Sequence, residues 1–271
     1  MTNKPFNFSK LLCILSLFLS FGFLSCSAKK DSQAAEQIET VTQEEEIITE
    51  TNPTETTMPS LTEQLESKAN LFKEKADPEK VKNYEAAIQK VAESGIIEKS
   101  KKEGDKAPNF TLPNAKGEQI SLSDKTKEGY TIITWYRGGW CPYCNLTLRA
   151  WQDILPQMQA ENIQFVAISP ELPDSTLSTK EKNELEFEVL SDAGNKVAKE
   201  YGIVFPLDES IKAPYKNMGI EEYNGDDSYT LPLAATYVIN SDNEIVYAFL
   251  DADYKKRAEP SEVLAKVKSM K

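Results

Sequence analysis

The chain has 271 residues, with 31 Lys plus Arg against 43 Asp plus Glu and a net charge of −12. That balance argues against a nucleic-acid partner, because phosphates need basic groups. There is no histidine, which removes Ser-His-Asp and Cys-His catalysis and the commonest metal ligand, so the sequence calls for no metal and no cofactor.

Residues 1–26 read as an export signal. Lys4 and Lys10 form a positive leader, and Leu11–Leu24 is an apolar run of 14 residues, too short and wrongly flanked for a membrane span. The run ends Phe23-Leu24-Ser25-Cys26, which resembles the lipobox of bacterial lipoproteins. That resemblance implies that Cys26 becomes the acylated first residue. The protein is then expected to be exported and membrane-anchored, facing the periplasm or the cell exterior.

Residues 27–59 carry eight acidic and two basic side chains, many Thr and almost no large apolar residue. The composition predicts a disordered acidic tether. Residues 60–103 read as a helical extension. Ser60 and Glu63 fit a capping box, and Leu61, Leu65, Ala69 and Phe72 recur at helical spacing. Asp77-Pro78 starts a second helix carrying Val81, Tyr84, Ala87, Ile88 and Val91 on one face, and Gly95 ends it.

From Gly104 to Lys271 short strands alternate with helices. Phe110–Leu112 and Ile120–Leu122 read as a hairpin around Asn114-Ala115-Lys116-Gly117. Thr131–Trp135 reads as a buried strand, and Pro142–Gln159 as a helix kinked by Pro156. A strand over Ile163–Ile168, a helix over Ser178–Glu184, a strand over Phe187–Leu190 and a helix over Asn195–Tyr201 follow. Residues 202–230 read as a long loop with a helix near Glu209–Met218. Ala235–Ile239 and Glu244–Leu250 pair as a hairpin, and Pro260–Met270 closes the chain. A β-α-β half followed by β-β-α predicts an α/β class protein, a thioredoxin-like sandwich with a mixed central sheet.

Trp135-Tyr136-Arg137-Gly138-Gly139-Trp140-Cys141-Pro142-Tyr143-Cys144 carries the chemistry. Two cysteines three residues apart at a strand-to-helix junction are placed for thiol–disulfide exchange. A helix start offers free N–H groups and the positive end of the macrodipole, and both favour a thiolate. Of the four cysteines, Cys13 lies in the leader and Cys26 at the lipid site. A disulfide within the catalytic domain is therefore Cys141–Cys144.

Residues 104–271 resemble the AhpC/TSA peroxiredoxin-like branch of the thioredoxin superfamily. The matching stretches are Gly104–Pro113, Tyr136–Cys144, Ala167-Ile168-Ser169-Pro170 and Ala235–Ile239. The resemblance implies a thiol peroxidase or a disulfide reductase. Peroxiredoxins carry Pro-x-x-x-Thr/Ser-x-x-Cys, a frame that puts Arg137 at the proline, Cys141 at the threonine and Cys144 at the peroxidatic cysteine. A second departure is Ala234, which stands where thioredoxins place a cis-proline facing the site.

Physical position at the helix start points to Cys141 as the more reactive thiol, with Cys144 a turn in and less exposed. The peroxiredoxin frame points to Cys144. Arginine is scarce, with Arg137, Arg149 and Arg257 only. Arg137 is a candidate to stabilise the thiolate and to hydrogen-bond a peroxide oxygen. Arg149, five residues past Cys144, should point to another helix face. Trp140 and Tyr143 bracket the pair as an apolar lip over the site.

The sequence thus predicts an oxidoreductase of peroxiredoxin or thioredoxin type. The resemblance implies that it reduces hydroperoxides through Cys141 and Cys144, and that an external thioredoxin-like dithiol donor returns the pair to the reduced state. Two alternatives stand beside it. One is a reductase of protein disulfides. The other is a binding lipoprotein of thioredoxin fold in which the pair is a stabilising disulfide.

Overall fold

The computed structural model describes residues 59–271. The export signal over 1–26, acylation at Cys26 and the tether up to residue 58 lie outside the described residues.

Three helices come first. α1 (Leu61–Lys75) starts on a reciprocal cap, in which Ser60 Oγ accepts from Glu63 N at 3.2 Å and Glu63 Oε2 accepts from Ser60 N at 2.8 Å. α2 (Pro78–Glu93) starts on Asp77, whose carboxylate accepts from Glu79 N and Lys80 N. Pro78 sits in the first turn, where a missing N–H costs nothing. Gly95, at φ +73°, separates α2 from α3 (Ile96–Lys99). Leu61 and Leu65 are buried in one apolar layer of the molecule, and Tyr84, Ala87 and Ile96 in the other.

A two-stranded hairpin of β1 (Thr111–Pro113) and β2 (Gln119–Ser121) leads into α4 (Leu122–Glu128). Asn114 Oδ1 accepts from Lys116 N and Glu118 N and so closes the hairpin turn. The first half of the main domain is β3 (Thr131–Trp135), α5 (Pro142–Asp153), α6 (Leu155–Ala160), β4 (Gln164–Ser169), α7 (Pro173–Lys182), β5 (Glu188–Ser191) and α8 (Lys196–Glu200). An arm follows, made of β6 (Val204–Pro206), α9 (Glu209–Asn217), α10 (Ile220–Asn224) and β7 (Thr230–Pro232). The chain closes with β8 (Thr236–Ile239), β9 (Ile245–Phe249) and α11 (Pro260–Lys268).

The central sheet has five strands in the order β5-β4-β3-β8-β9. β3 runs parallel to β4, and β4 to β5, while β8 and β9 are antiparallel. This is the mixed α/β sandwich the sequence predicts. Every residue of β3 is buried, and period-two alternation sends Ile133 and Trp135 to one apolar layer and Ile132 to the other. The sheet therefore delivers the end of β3, and the cysteine loop after it, into a fully enclosed position.

Three expected elements differ. The helix expected over Pro142–Gln159 breaks at Ile154, two residues before Pro156. The pyrrolidine ring cannot share a continuous helix with the carbonyl four residues back, and the chain restarts with Pro156 in the first turn of α6. The helix expected at Ser178 begins five residues earlier, at Pro173, with Leu172 extended before it. Within 202–230 the structure adds β6, β7 and α10 to the expected helix. Strands of three residues containing Pro206 and Pro232 are too short to show alternation.

Candidate active site

Cys141 is the N-cap of α5, with extended backbone at φ −89° and ψ 114°. Its N–H donates to Gly138 O at 3.0 Å and its carbonyl accepts the first helical bond, from Asn145 N, at 3.1 Å. Pro142 holds the first turn, and Cys144 lies within it. The two glycines before the pair are sterically required. A Cβ on Gly138, which sits at φ +146°, would meet Trp140 Nε1 at 2.2 Å, and one on Gly139 would meet Thr179 Oγ1 at 2.1 Å.

The loop is gripped from both sides. Gly139 N donates to Glu171 Oε1 at 2.8 Å, and Gly139 O accepts from Asn145 Nδ2 at 3.0 Å. Glu171 is wholly buried and also accepts from Tyr136 OH at 2.7 Å and from Thr179 and Ser169 hydroxyls. Burial raises its carboxyl, against the pull of those hydrogen bonds.

Both sulfurs are buried, Cys141 at 1% and Cys144 at 0% exposure, so exposure does not separate them as the sequence had suggested. Each has its own guanidinium. Arg137 Nη1 donates to Cys141 Sγ at 3.6 Å, and Arg257 Nη2 to Cys144 Sγ at 3.5 Å. The Arg137 backbone N–H also reaches Cys144 Sγ, at 3.4 Å. Among the described residues neither guanidinium forms an ion pair with a carboxylate.

These contacts divide the pair. Burial alone pushes the Cys141 thiol up. The hydrogen bond from the Cys144 thiol, the charges of Arg137 and Arg257, and the Cys144 N–H outweigh it and bring Cys141 down to about 5. Cys144 goes the other way. Burial, the hydrogen bond it gives to Cys141 and the charge there push it well above the usual thiol range, against both arginines. One proton thus stays on Cys144 while Cys141 carries the negative charge.

An aromatic box closes over Arg137. Its guanidinium lies 3.9 Å from the Tyr254 ring centre, 5.1 Å from Trp140 and 5.2 Å from Tyr215. Arg137 Nη2 also donates to Tyr215 OH. Of the two residues expected as a lip, Trp140 is half-buried and meets Tyr215 edge-on, and Tyr143 is buried against Tyr254. Tyr84 of α2 stacks on Tyr215 with ring centres 6.0 Å apart. A narrow cavity of about 20 Å³ lies between α2 and the Phe205–Ile211 segment, and Arg137, Tyr215 and Tyr254 form part of its wall. That is room for about one water molecule.

Arg149 lies elsewhere, as expected, with Nη1 donating to Asn183 Oδ1 at 2.7 Å. Sequence reasoning missed Arg257, Tyr215, Tyr254 and Glu171. The scarcity of arginine was the available signal for Arg257. Among the described residues no group of three or more His, Cys, Asp or Glu side chains converges for a metal ion.

The AhpC/TSA family model matches residues 103–248. A putative chloroplastic peroxiredoxin Q of Oryza sativa subsp. indica is 33% identical over 122 residues, which cover 45% of this chain and 55% of that protein. A putative peroxiredoxin Bcp of Coxiella burnetii is 34% identical over 101 residues, covering 37% of this chain and 66% of that one. The chain thus spans little more than half the length of the rice protein. Among solved structures, a peroxiredoxin-like protein from Aquifex aeolicus superposes with a TM-score of 0.52 at 17% identity over 64% of this chain and 89% of its own. Peroxidoxin BcpB from Mycobacterium tuberculosis gives 0.50 at 20% identity over 63% and 98%. Those likenesses show the thioredoxin-like fold shared with peroxiredoxins. With its family segment covering more than half of the sequence, the chain belongs to the AhpC/TSA family.

Proposed function

We propose that this protein is a thiol-dependent peroxidase that reduces hydroperoxides through Cys141 and Cys144. The Cys141 thiolate attacks one peroxide oxygen, the O–O bond breaks, Cys141 becomes a sulfenic acid, and the departing hydroxide or alkoxide takes a proton from solvent to leave as water or an alcohol. Cys144 then attacks Cys141 Sγ, the S–O bond breaks, water leaves, and the Cys141–Cys144 disulfide closes. An external thioredoxin-like dithiol returns both to thiols. Arg137 serves twice, since Nη1 holds the sulfur and Nε, which has no protein partner, is free for an oxygen. Trp140 and Tyr143 keep water from the sulfurs.

The carrying observation is a sulfur that is 1% exposed and touched by Arg137, whose side chain forms part of the wall of a cavity of about one water. A peroxide is small enough to use such an approach as it stands, whereas a disulfide or dithiol carried by a folded protein reaches Cys141 only after the cover over Arg137 opens. The names of the relatives, peroxiredoxin Q and Bcp, point the same way. The second reading, a reductase of protein disulfides, draws on one feature: a cysteine stands where peroxiredoxins have Thr or Ser, which gives the pair its thioredoxin spacing. One experiment separates them. The purified full chain, supplied with a dithiol, should consume hydrogen peroxide faster than it reduces a protein disulfide. The reverse order would overturn the peroxidase reading. In single variants, C144S should form the sulfenic acid on Cys141. If C141S does so on Cys144 instead, the roles of the two cysteines are exchanged.

The proposal extends to place. Leu24-Ser25-Cys26 supports acylation at Cys26, export and attachment to a membrane facing the periplasm or the cell exterior. C26A should release the protein from membranes or leave it unprocessed. Native exported protein found soluble and unacylated would defeat this.

A further inference from the structure

We infer that Arg257 is a catalytic residue dedicated to Cys144, holding that sulfur as the leaving thiolate when the disulfide is reduced. The inference rests on the proposed cycle only in taking Cys141–Cys144 as its oxidised form. Arg257 lies beyond the family segment, which ends at residue 248. It is 113 residues from Cys144 in sequence, yet its Nη2 points at that sulfur from 3.5 Å. Nε donates to Thr147 Oγ1 at 3.3 Å, and Thr147 donates in turn to Tyr143 O at 2.9 Å, so the guanidinium is fixed to the first turns of α5. It is 8% exposed, its Nη1 has no partner, and among the described residues no carboxylate pairs with it. A buried cation without a carboxylate is costly unless some other anion meets it. The group it touches, the Cys144 thiol, supplies that anion when it ionises.

The direction of attack agrees. Arg137 forms part of the wall of the cavity beside α2, and Arg137 touches Cys141. A thiolate arriving from that side bonds to Cys141 Sγ, the Cys141–Cys144 bond breaks, and Cys144 takes the electron pair next to Arg257. The second thiol of the donor then displaces Cys141 from the mixed disulfide. In the oxidising direction the order reverses. Once Cys141 has become a neutral sulfenic acid, its charge no longer opposes ionisation of Cys144, and Arg257 is in place to hold the attacking thiolate.

The test uses the full chain oxidised with diamide, so it does not depend on peroxide chemistry. The reduction rate of the Cys141–Cys144 disulfide by dithiothreitol is compared with the rate at which iodoacetamide alkylates reduced Cys141, each assigned by peptide mass. Loss of one charge-assisted hydrogen bond raises the leaving thiol by about one to two pKa units. With a sensitivity of about 0.5, R257M should slow disulfide reduction about three- to tenfold. Alkylation of Cys141, compared on its alkaline plateau, should not slow, and R257K should recover most of the reduction rate. Where R257M does not fold, T147V is read instead. It removes the acceptor for Arg257 Nε together with the Thr147 bond to Tyr143 O, leaves the guanidinium in the chain, and should slow reduction in the same sense. An unchanged reduction rate, or an equal slowing of both reactions, would overturn the assignment. Failure of the protein to consume peroxide would leave this comparison intact and would count against the peroxidase reading alone.

Discussion

Replacing Arg137 by Met removes the only guanidinium that touches Cys141, at 3.6 Å. A hydrogen bond to a charged group contributes about 1.5–3 kcal/mol, which is about one to two pKa units. Cys141 stands near 5 in the intact site, so R137M should move it to about 6–7, with Arg257 still holding part of the depression. The thiol is an acid whose value is lowered, so the thiolate dominates above the midpoint and is lost below it. Arg137 therefore decides the charge of Cys141 between about pH 5 and about pH 7. The rate at a single pH is a poor measure of this, because a more basic thiolate is a stronger nucleophile. With a sensitivity of about 0.4–0.5, the alkaline plateau should rise about 2.5- to tenfold in R137M. The assay is alkylation of reduced Cys141 by iodoacetamide from acid to alkaline pH, quantified by peptide mass. The expected curve has a higher midpoint and a higher plateau and crosses that of the unaltered protein. An unmoved midpoint would refute the assignment of Arg137 to the Cys141 thiolate.

G139A should destabilise by about 1–3 kcal/mol, because its Cβ would overlap Thr179 Oγ1. Adding T179A should recover part of the loss in urea unfolding, and strictly additive effects would contradict the clash. Y84A removes the ring that stacks on Tyr215 at the cavity wall. Beyond a stability cost of about 3–5 kcal/mol, it should raise the reactivity of Cys141 toward a bulky maleimide relative to iodoacetamide. An unchanged ratio would show that access does not run beside α2. The disulfide form leaves two buried guanidiniums facing no anion, which favours the reduced form. Its potential should therefore lie above the value of about −270 mV typical of thioredoxin. Equilibration against a dithiol series measures it, and a lower value would show that the arginines do not weigh on the redox balance.

The parts of this site that were readable in advance are local in sequence. β3 is an unbroken apolar run, the glycines and cysteines follow it directly, and the Ser60–Glu63 cap falls within four residues. The cysteine pair and Arg137 could be placed because strand, loop and helix start are consecutive. What escaped depends on chain closure over long distances. Tyr215 is 78 residues from Arg137, and Arg257 is 113 from Cys144. Neither has a neighbour in sequence that marks it. Glu171 reads as an ordinary acidic residue until the packing of β4 and α7 encloses it. The proline misplacements have a different cause. Pro156 reads as a kink and Pro173 lies ahead of the helix expected at Ser178, whereas each sits in the first turn of its own helix.

The cover over the cysteines and the second arginine are physically linked. Tyr84, Trp140, Tyr215 and Tyr254 enclose the sulfur side of Arg137, and the price of enclosure is that burial becomes the largest influence on both thiols, pushing each upward. An open site can keep a thiolate with the helix start and water alone. A closed one has lost the water, and one guanidinium shared between two sulfurs would leave one of them unserved at each stage of a cycle that moves the charge from Cys141 to Cys144. Two cations, one per sulfur, meet that requirement. The enclosing Tyr84 and the second cation Arg257 both come from outside residues 103–248, on opposite flanks of the family segment. The cover without the cation would suppress the thiolate, and the cation without the cover would be screened by water. The two make physical sense only together.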